Sequence, residues 1–311
     1  HGFAGIDWPA EFGGRGLAPE HARVWSEECA RAGVAASMNF QGIVLASGAI
    51  RAFGTPGQRA RDLDATLRAD IVWGQLFSEP DSGSDLASLT TRAVPDGDGW
   101  RVTGQKVWSS TAQLARHAIL LARTDPNEPS NRGISFFLFD MSAPGVDVRP
   151  IRQMTGDSEF CEVFLDGAPV AADDLLGPLN SGWTVATSVL ADERASVGAA
   201  GIALKRRLES IDDAAVRADG LAIAGLLERS GGDPRLGPLT KLATTEFDGR
   251  VTALAVQASG AEGMLFGNDT EPFLYSPGMR VAGGTSEIQR NLIAERLLGL
   301  PREPRPPTPA S

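Results

Sequence analysis

The sequence predicts an α+β protein of three successive domains, helical, then β, then helical, and three observations carry that reading. Apolar residues recur at helical intervals from Pro19 to about Leu67, as in Val24, Cys29, Ala32 and Val34 and then Ile43, Leu45 and Ile50. From about Ile71 the texture changes to short runs of β-branched and aromatic residues broken by Gly, Asp, Asn and Pro. Helical patterning returns after the Pro/Gly/Asn punctuation of residues 177–182 and persists to the C-terminus. The expected boundaries are 1–70, 71–178 and 179–311.

The N-terminal domain begins at His1 with the turn-rich HGFAGIDWPAEFGGRG, and this abrupt start leads us to expect that its first helices are missing. Strands are expected over residues 71–78, 89–94, 100–103, 117–123, 134–139, 146–149 and 159–165, forming a mostly antiparallel domain. DGDG, residues 96–99, is a hairpin signal because glycine accepts the positive φ that such turns need. In the last helix Ser286 and Gln289 have capping-box spacing, Ile288, Leu292, Ile293 and Leu297 form an apolar face, and Gly299 with Pro301 ends it. A Pro-rich tail without fixed structure follows.

A chain of 311 residues with 42% hydrophobic residues can bury a sizeable core. Its formal charge of −10, without a Lys/Arg cluster, argues against nucleic acid as a partner. Two cysteines, Cys29 and Cys161, form no disulfide framework, which points to a reducing cytoplasm. His1, His21 and His117 lack ligand spacing, so no metal site is expected. No apolar run is long enough to cross a membrane as a helix, so a soluble protein is expected.

Three segments can carry chemistry. QLFSEPDSGSDLASLTTRA, residues 75–93, places small hydroxylic residues and glycine directly after an apolar strand, where backbone N–H groups and hydroxyls can meet a polar ligand. It reads equally as a solvated surface loop. In GQKVWSST, residues 104–111, a strand ends in Trp108 and three hydroxyl residues follow. The indole is either core or a cover for one face of a flat heteroaromatic ring. AGGTSEIQRN, residues 282–291, opens a helix with paired glycines, which is either an anion site or a tight turn.

Together, in this order, these segments resemble the acyl-CoA dehydrogenase family. The resemblance rests on WPAEFGGRG, FSEPDSGSD, GQKVWSS, DDLLG at residues 173–177 and GGTSEIQRNLIAERLLGLPRE, and it covers nearly the whole chain. It implies a helical N-terminal domain, a β middle domain and a C-terminal four-helix bundle, with FAD as cofactor and an acyl-CoA as substrate. Phe77, Ser78, Gly83, Ser84, Trp108, Ser109 and Ser110 match positions lining the flavin ring, with Ser84 also at the thioester. Thr285, Ser286 and Glu287 match the FAD-contacting start of the last helix, and Gln257, Gly260 and Ala261 match a stretch that holds the adenosine half from a neighbouring subunit. In that stretch Ala261 and Glu262 replace residues that are usually Gly and a small polar type.

The family reaction needs a carboxylate to take the α-proton while hydride leaves the β-carbon for the flavin. Many members carry this Glu just before the terminal Gly-Thr, where this chain has Gly283. A second arrangement, resembling isovaleryl-CoA dehydrogenase, carries a Glu-Arg pair on an earlier helix, matched here by Glu193 and Arg194 in LADERASVG. The resemblance therefore implies Glu193 as base, Arg194 near the CoA or the acyl entry, and the Gly283 N–H as a donor to the thioester oxygen. Apart from the family, Glu193 and Arg194 read as a solvated helical ion pair.

One departure stands out. Residues 210–242 contain no Arg-x-x-Phe-Gly of the kind that meets the FAD pyrophosphate of the adjacent subunit. The resemblance thus allows a homotetramer or an α2β2 heterotetramer with a related subunit, with electron-transfer flavoprotein as electron acceptor. The alternatives are a non-catalytic or half-site subunit, and a flavin monooxygenase on the same fold.

Overall fold

A computed structural model of the protein describes residues 2–34, 37–128, 130–198, 213–230, 233–267 and 269–302. It forms two compact units, His1–Glu193 and Arg194–Ser311, coarser than the three domains read from the sequence.

The first unit opens with helix α1 (Pro19–Arg31). A π-helical segment, Gln41–Ala46, then runs directly into α2 (Ser47–Phe53). Helix α3 (Pro56–Leu67) starts sharply because Thr55 and Gln58 form a full capping box with Pro56 in the first turn. Gln58 also donates to the carbonyls of Asp173 and Leu175 at 2.8 and 3.0 Å, which ties α3 to the far end of the β region.

The seven strands are β1 (Trp73–Leu76), β2 (Arg92–Asp96), β3 (Gly99–Ser110), β4 (His117–Arg123), β5 (Ile134–Asp140), β6 (Val146–Pro150) and β7 (Phe160–Val170). They pair in the order β1-β4-β2-β3-β7-β6, with β5 on β4. Most pairs are antiparallel, while β1 and β2 run parallel to β4. The expected hairpin is present: Asp96 faces Gly99, and Gly97 has φ +59°. The sequence split residues 100–110 into a strand and a separate motif, but β3 is one 12-residue strand interrupted by register shifts against β7.

Both faces of β4 and β5 are covered, so between their polar ends these strands are buried throughout and, apart from Ser135, apolar instead of alternating. Ile119, Leu121, Ile134, Phe136 and Leu138 face Leu45, Ile50 and Leu63 of the helical layer. The intervening Ala118, Leu120, Phe137 and Phe139 pack with Val102, Val163 and Leu165. This is the two-residue period of a strand applied to two cores at once. Helix α4 (Gly182–Gly198) adds Val185, Ala186 and Val189 to the first core.

The second unit holds α5 (Ala214–Ser230), α6 (Gly237–Ala258), α7 (Thr270–Val281) and α8 (Ser286–Leu292), the last continuing as a π-helical turn, Ile293–Leu297. Helix α6 touches α5, α7 and α8, and Val216, Phe247 and Val251 form a small apolar core. The cap of α8 lies one residue earlier than expected: Thr285 accepts from the Ile288 N–H, while Ser286 and Gln289 turn elsewhere. Among the described residues no helix is long and apolar enough to cross a membrane.

Asn39 joins the helical and β parts of the first unit. Its buried amide donates to Thr66 O and Ile71 O and accepts from the Trp73 N–H at 3.0 Å. Asn39→Ala strands all three backbone groups, so we expect a loss of roughly 1–3 kcal/mol in urea unfolding; an unchanged midpoint would refute this role.

Candidate active site

The two flavin-matching motifs of the first unit are joined by one buried ion pair. Lys106 of β3 is fully buried, and its Nζ donates to Glu79 Oε1 at 2.9 Å and to the Phe77 carbonyl at 3.0 Å. Glu79 in turn accepts from the Thr90 N–H and hydroxyl, both at 2.7 Å, and from the Thr91 N–H at 2.8 Å. A single carboxylate therefore closes the loop that carries Gly83 and Ser84, and the Val107 N–H completes the junction by donating to Ser78 O at 2.9 Å. Burial raises the Glu79 carboxyl, but the Lys106 charge and the Thr91 and Thr90 hydrogen bonds outweigh it and bring it down to about 2. Burial pulls Lys106 down to about 8 against the attraction of Glu79, so both partners are ionised at neutral pH.

Beyond Lys106 the strand bulges. The register with β7 slips between Lys106 and Ser109, which reverses the in–out alternation. Trp108 consequently sits at φ +60°, costly for a bulky residue, and its indole is 60% exposed. Phe160 supports it edge-on at 6.1 Å. The next residue, Ser109, is buried with no partner for its Oγ, as is Thr91 Oγ1. Ser110 is half-buried, and Gly83 and Ser84 are exposed, with nothing within 4 Å of a Cβ built on Gly83. Phe77 points its ring into the core against Phe136, so only its backbone can face a ligand.

An open apolar face beside the half-buried Ser78 and Ser110 and the exposed Ser84 suits a flat ring with a polar rim. The residues present thus fit the isoalloxazine of FAD, which would lie against Trp108 with Ser78, Ser84 and Ser110 at its edge; Ser109, matched to the same stretch, turns its hydroxyl into the interior instead.

In the second unit, Gly283 and Gly284 form the turn before α8 with φ +66° and +99°. Two buried side chains hold it. Gln289 donates to the carbonyls of Gly283 and Gly284 at 3.0 and 2.9 Å, and Lys241 donates to those of Arg280 and Gly284, both at 2.9 Å. A Cβ on Gly284 would come within 2.7 Å of Gln289 Nε2, so this glycine is needed for space as well as for φ. Ser286 donates to Glu246, which also neighbours Arg280 and Arg290. Glu287 is exposed; hydrogen bonds to its own backbone N–H and to Thr285 lower its carboxyl. Gln257 and Ala261 are exposed, and Gly260 begins a short 3-10 turn at φ +55°.

Glu193 stands half-buried on α4. The Arg194 side chain lies outside those described, as does part of the segment between Ser210 and Leu242. Sequence reasoning missed Glu79, Lys106, Lys241 and Gln289 as builders of the site. Among the described residues no cluster of His, Cys, Asp and Glu could hold a metal.

Residues 1–70, 74–168 and 210–298 match the N-terminal, middle and C-terminal domains of acyl-CoA dehydrogenases, respectively. The chain is 39% identical to acyl-CoA dehydrogenase FadE34 of Mycobacterium tuberculosis over 95% of its own length, and it spans 44% of that relative. It is 37% identical to acyl-CoA dehydrogenase IpdE1 of the same organism over 97% of its length and 86% of the relative's. The solved Tcur3481-Tcur3483 steroid ACAD superimposes with a TM-score of 0.86 at 28% identity, covering 97% of this chain and 86% of that one. The chain belongs to the acyl-CoA dehydrogenase family, whose members are FAD-dependent flavoproteins.

The pH dependence of the ion pair has a definite sign. A carboxyl lowered from 4.5 to about 2 stabilises the fold fully above pH 4.5 and loses that contribution as pH falls through 2. Glu79→Gln leaves Lys106 buried without its counter-charge, so urea unfolding at pH 7 should show a loss of roughly 3–5 kcal/mol. The gap to wild type should narrow as pH falls below 4.5; a gap independent of pH would exclude the ionised pair.

Proposed function

We propose that this chain is a catalytic acyl-CoA dehydrogenase subunit that converts an acyl-CoA thioester to its trans-2-enoyl-CoA, with Glu193 as base. Bound FAD would supply the acceptor for the hydride that leaves the β-carbon. Glu193 takes the α-proton, a role open to it because Gly283 has no carboxylate to offer. The Gly283 N–H polarises the thioester oxygen, and Arg194 lies toward the CoA. Trp108 shields one ring face from water while the serine hydroxyls fix its edge. The observation that carries this reading is the bulge that exposes the Trp108 indole at positive φ, since that arrangement has a cost and packing within the chain does not require it.

A bulky or branched acyl group fits best. Ala282 and Gly283 remove side-chain bulk where the family carries larger residues, and the similarity to a steroid ACAD supports the same direction. Electron-transfer flavoprotein is the proposed acceptor and the cytoplasm the proposed compartment. For assembly we favour an α2β2 heterotetramer over a homotetramer, because the segment expected to meet the neighbouring pyrophosphate is missing from residues 210–242 and the steroid ACAD carries a two-part name. Gln257, Gly260, Ala261, Thr285, Ser286 and Glu287 would then hold FAD at that interface, and the domain limits would remain 1–70, 71–178 and 179–311.

Anaerobic mixing of the flavin-loaded protein with a panel of acyl-CoAs should bleach the oxidised flavin band, fastest with branched or cyclic acyl groups. Glu193→Gln should retain flavin and lose at least about a hundredfold in bleaching rate. Undiminished bleaching would assign the base elsewhere, and bleaching only after a related subunit is added would make this chain a half-site.

A further inference from the structure

The Gly283–Gly284 turn does not inherit its position from the helix before it. Helix α7 carries Pro277 in its interior, where the missing N–H leaves the Phe273 carbonyl without its helical donor, and Gly278 follows. The buried Ser276 takes that donor's place, its hydroxyl donating to Phe273 O at 2.9 Å. This restores the hydrogen bond but not the stiffness, because a proline and a glycine in succession weaken the helix just before Arg280. Position comes instead from α6. Lys241 is fully buried, and its Nζ donates to Arg280 O, in the last turn of α7, and to Gly284 O, just before α8, both at 2.9 Å. One side chain thus grips the backbone on each side of Ala282 and Gly283. Gln289 holds the carbonyls of Gly283 and Gly284 from α8. Among the described residues, the N–H groups of Gly283 and Gly284 donate to no backbone carbonyl.

Lysine is seldom fully buried, because its head group loses hydration and its long chain loses rotamer freedom. What Lys241 offers that Gln289 does not is reach across the whole turn, from Arg280 to Gly284. We propose that Lys241 is a positioning residue for the dehydrogenation: by bracketing Gly283 it holds that residue's N–H where the thioester oxygen takes up negative charge as the α-proton leaves. The inference rests on the reading of the Gly283 N–H as donor to the thioester. A donor speeds the reaction only when it is already aimed at the place where charge develops. A displacement of about 1 Å there costs on the order of a hundredfold in rate. Lys241 itself acts only through the turn.

The test uses the FAD-loaded protein and 2,2-dimethylbutanoyl-CoA labelled with carbon-13 at the carbonyl, a thioester that has no α-hydrogen and so cannot turn over. Infrared difference spectra read how far binding lowers its carbonyl stretch. Wild type should lower it, and Lys241→Met should lose more than half of that shift while binding the thioester within about threefold of wild type by calorimetry. Lys241→Gln, which keeps an amide donor, should fall between the two, and it carries the same comparison where Lys241→Met fails to fold. With a reactive acyl-CoA the variants should bleach the flavin roughly ten- to a hundredfold more slowly at saturation, with the half-saturating concentration nearly unchanged. A full carbonyl shift in a folded, flavin-loaded variant would overturn the positioning role and leave the Gly283 N–H as donor, and an equal loss of binding and rate would make Lys241 structural only. No shift in wild type would overturn both readings, since the turn and the thioester would not meet.

Discussion

The buried Glu79–Lys106 pair is the constraint on which the candidate site depends. Two loops distant in sequence meet the same ligand only if something fixes them to each other, and the pair does so with one carboxylate and one ammonium. Such a pair adds little net stability over a hydrocarbon equivalent, because desolvation offsets most of the attraction. What it provides is position. Glu79 accepts from the backbone of Thr90 and Thr91, and Lys106 holds the Phe77 carbonyl, so the ends of the Ser/Gly loop and the strand beside it form one rigid frame. The bulge that follows Lys106 can then carry strain at Trp108 without relaxing.

The second unit repeats the device with different residues. Lys241 and Gln289, both buried, hold the carbonyls of the Gly283–Gly284 turn and leave its N–H groups for other partners. A glycine turn with two positive φ values is mobile in isolation because glycine has the largest conformational entropy. Here buried donors remove that freedom, so the turn is shaped before any ligand arrives, and less affinity is lost in ordering it.

Much of the fold was legible because hydrophobic period reports burial. All seven strands were found near their observed positions, and Gly97 marked the hairpin. The site was legible only as motifs. Lys and Glu are rarely fully buried, so nothing in residue type marked Lys106 or Glu79 as interior. One signal was available: Lys106 lies four residues after the buried Val102, on the same face of β3. The bulge was invisible to a strict period of two, which is why the sequence could not decide between a core and an exposed Trp108. The cap of α8 was misread by one residue because Thr285 and Ser286 are equally good caps, and the choice belongs to the glycine turn before them.

If this frame orders the flavin-facing loops, breaking it must weaken flavin binding before it unfolds the sheet. The direct measurement is FAD titration into apoprotein for wild type and Lys106→Met, with near-UV circular dichroism monitoring the β core. The account predicts at least a tenfold rise in Kd for the variant with the core signal retained. Equal affinity in a folded Lys106→Met protein would contradict it.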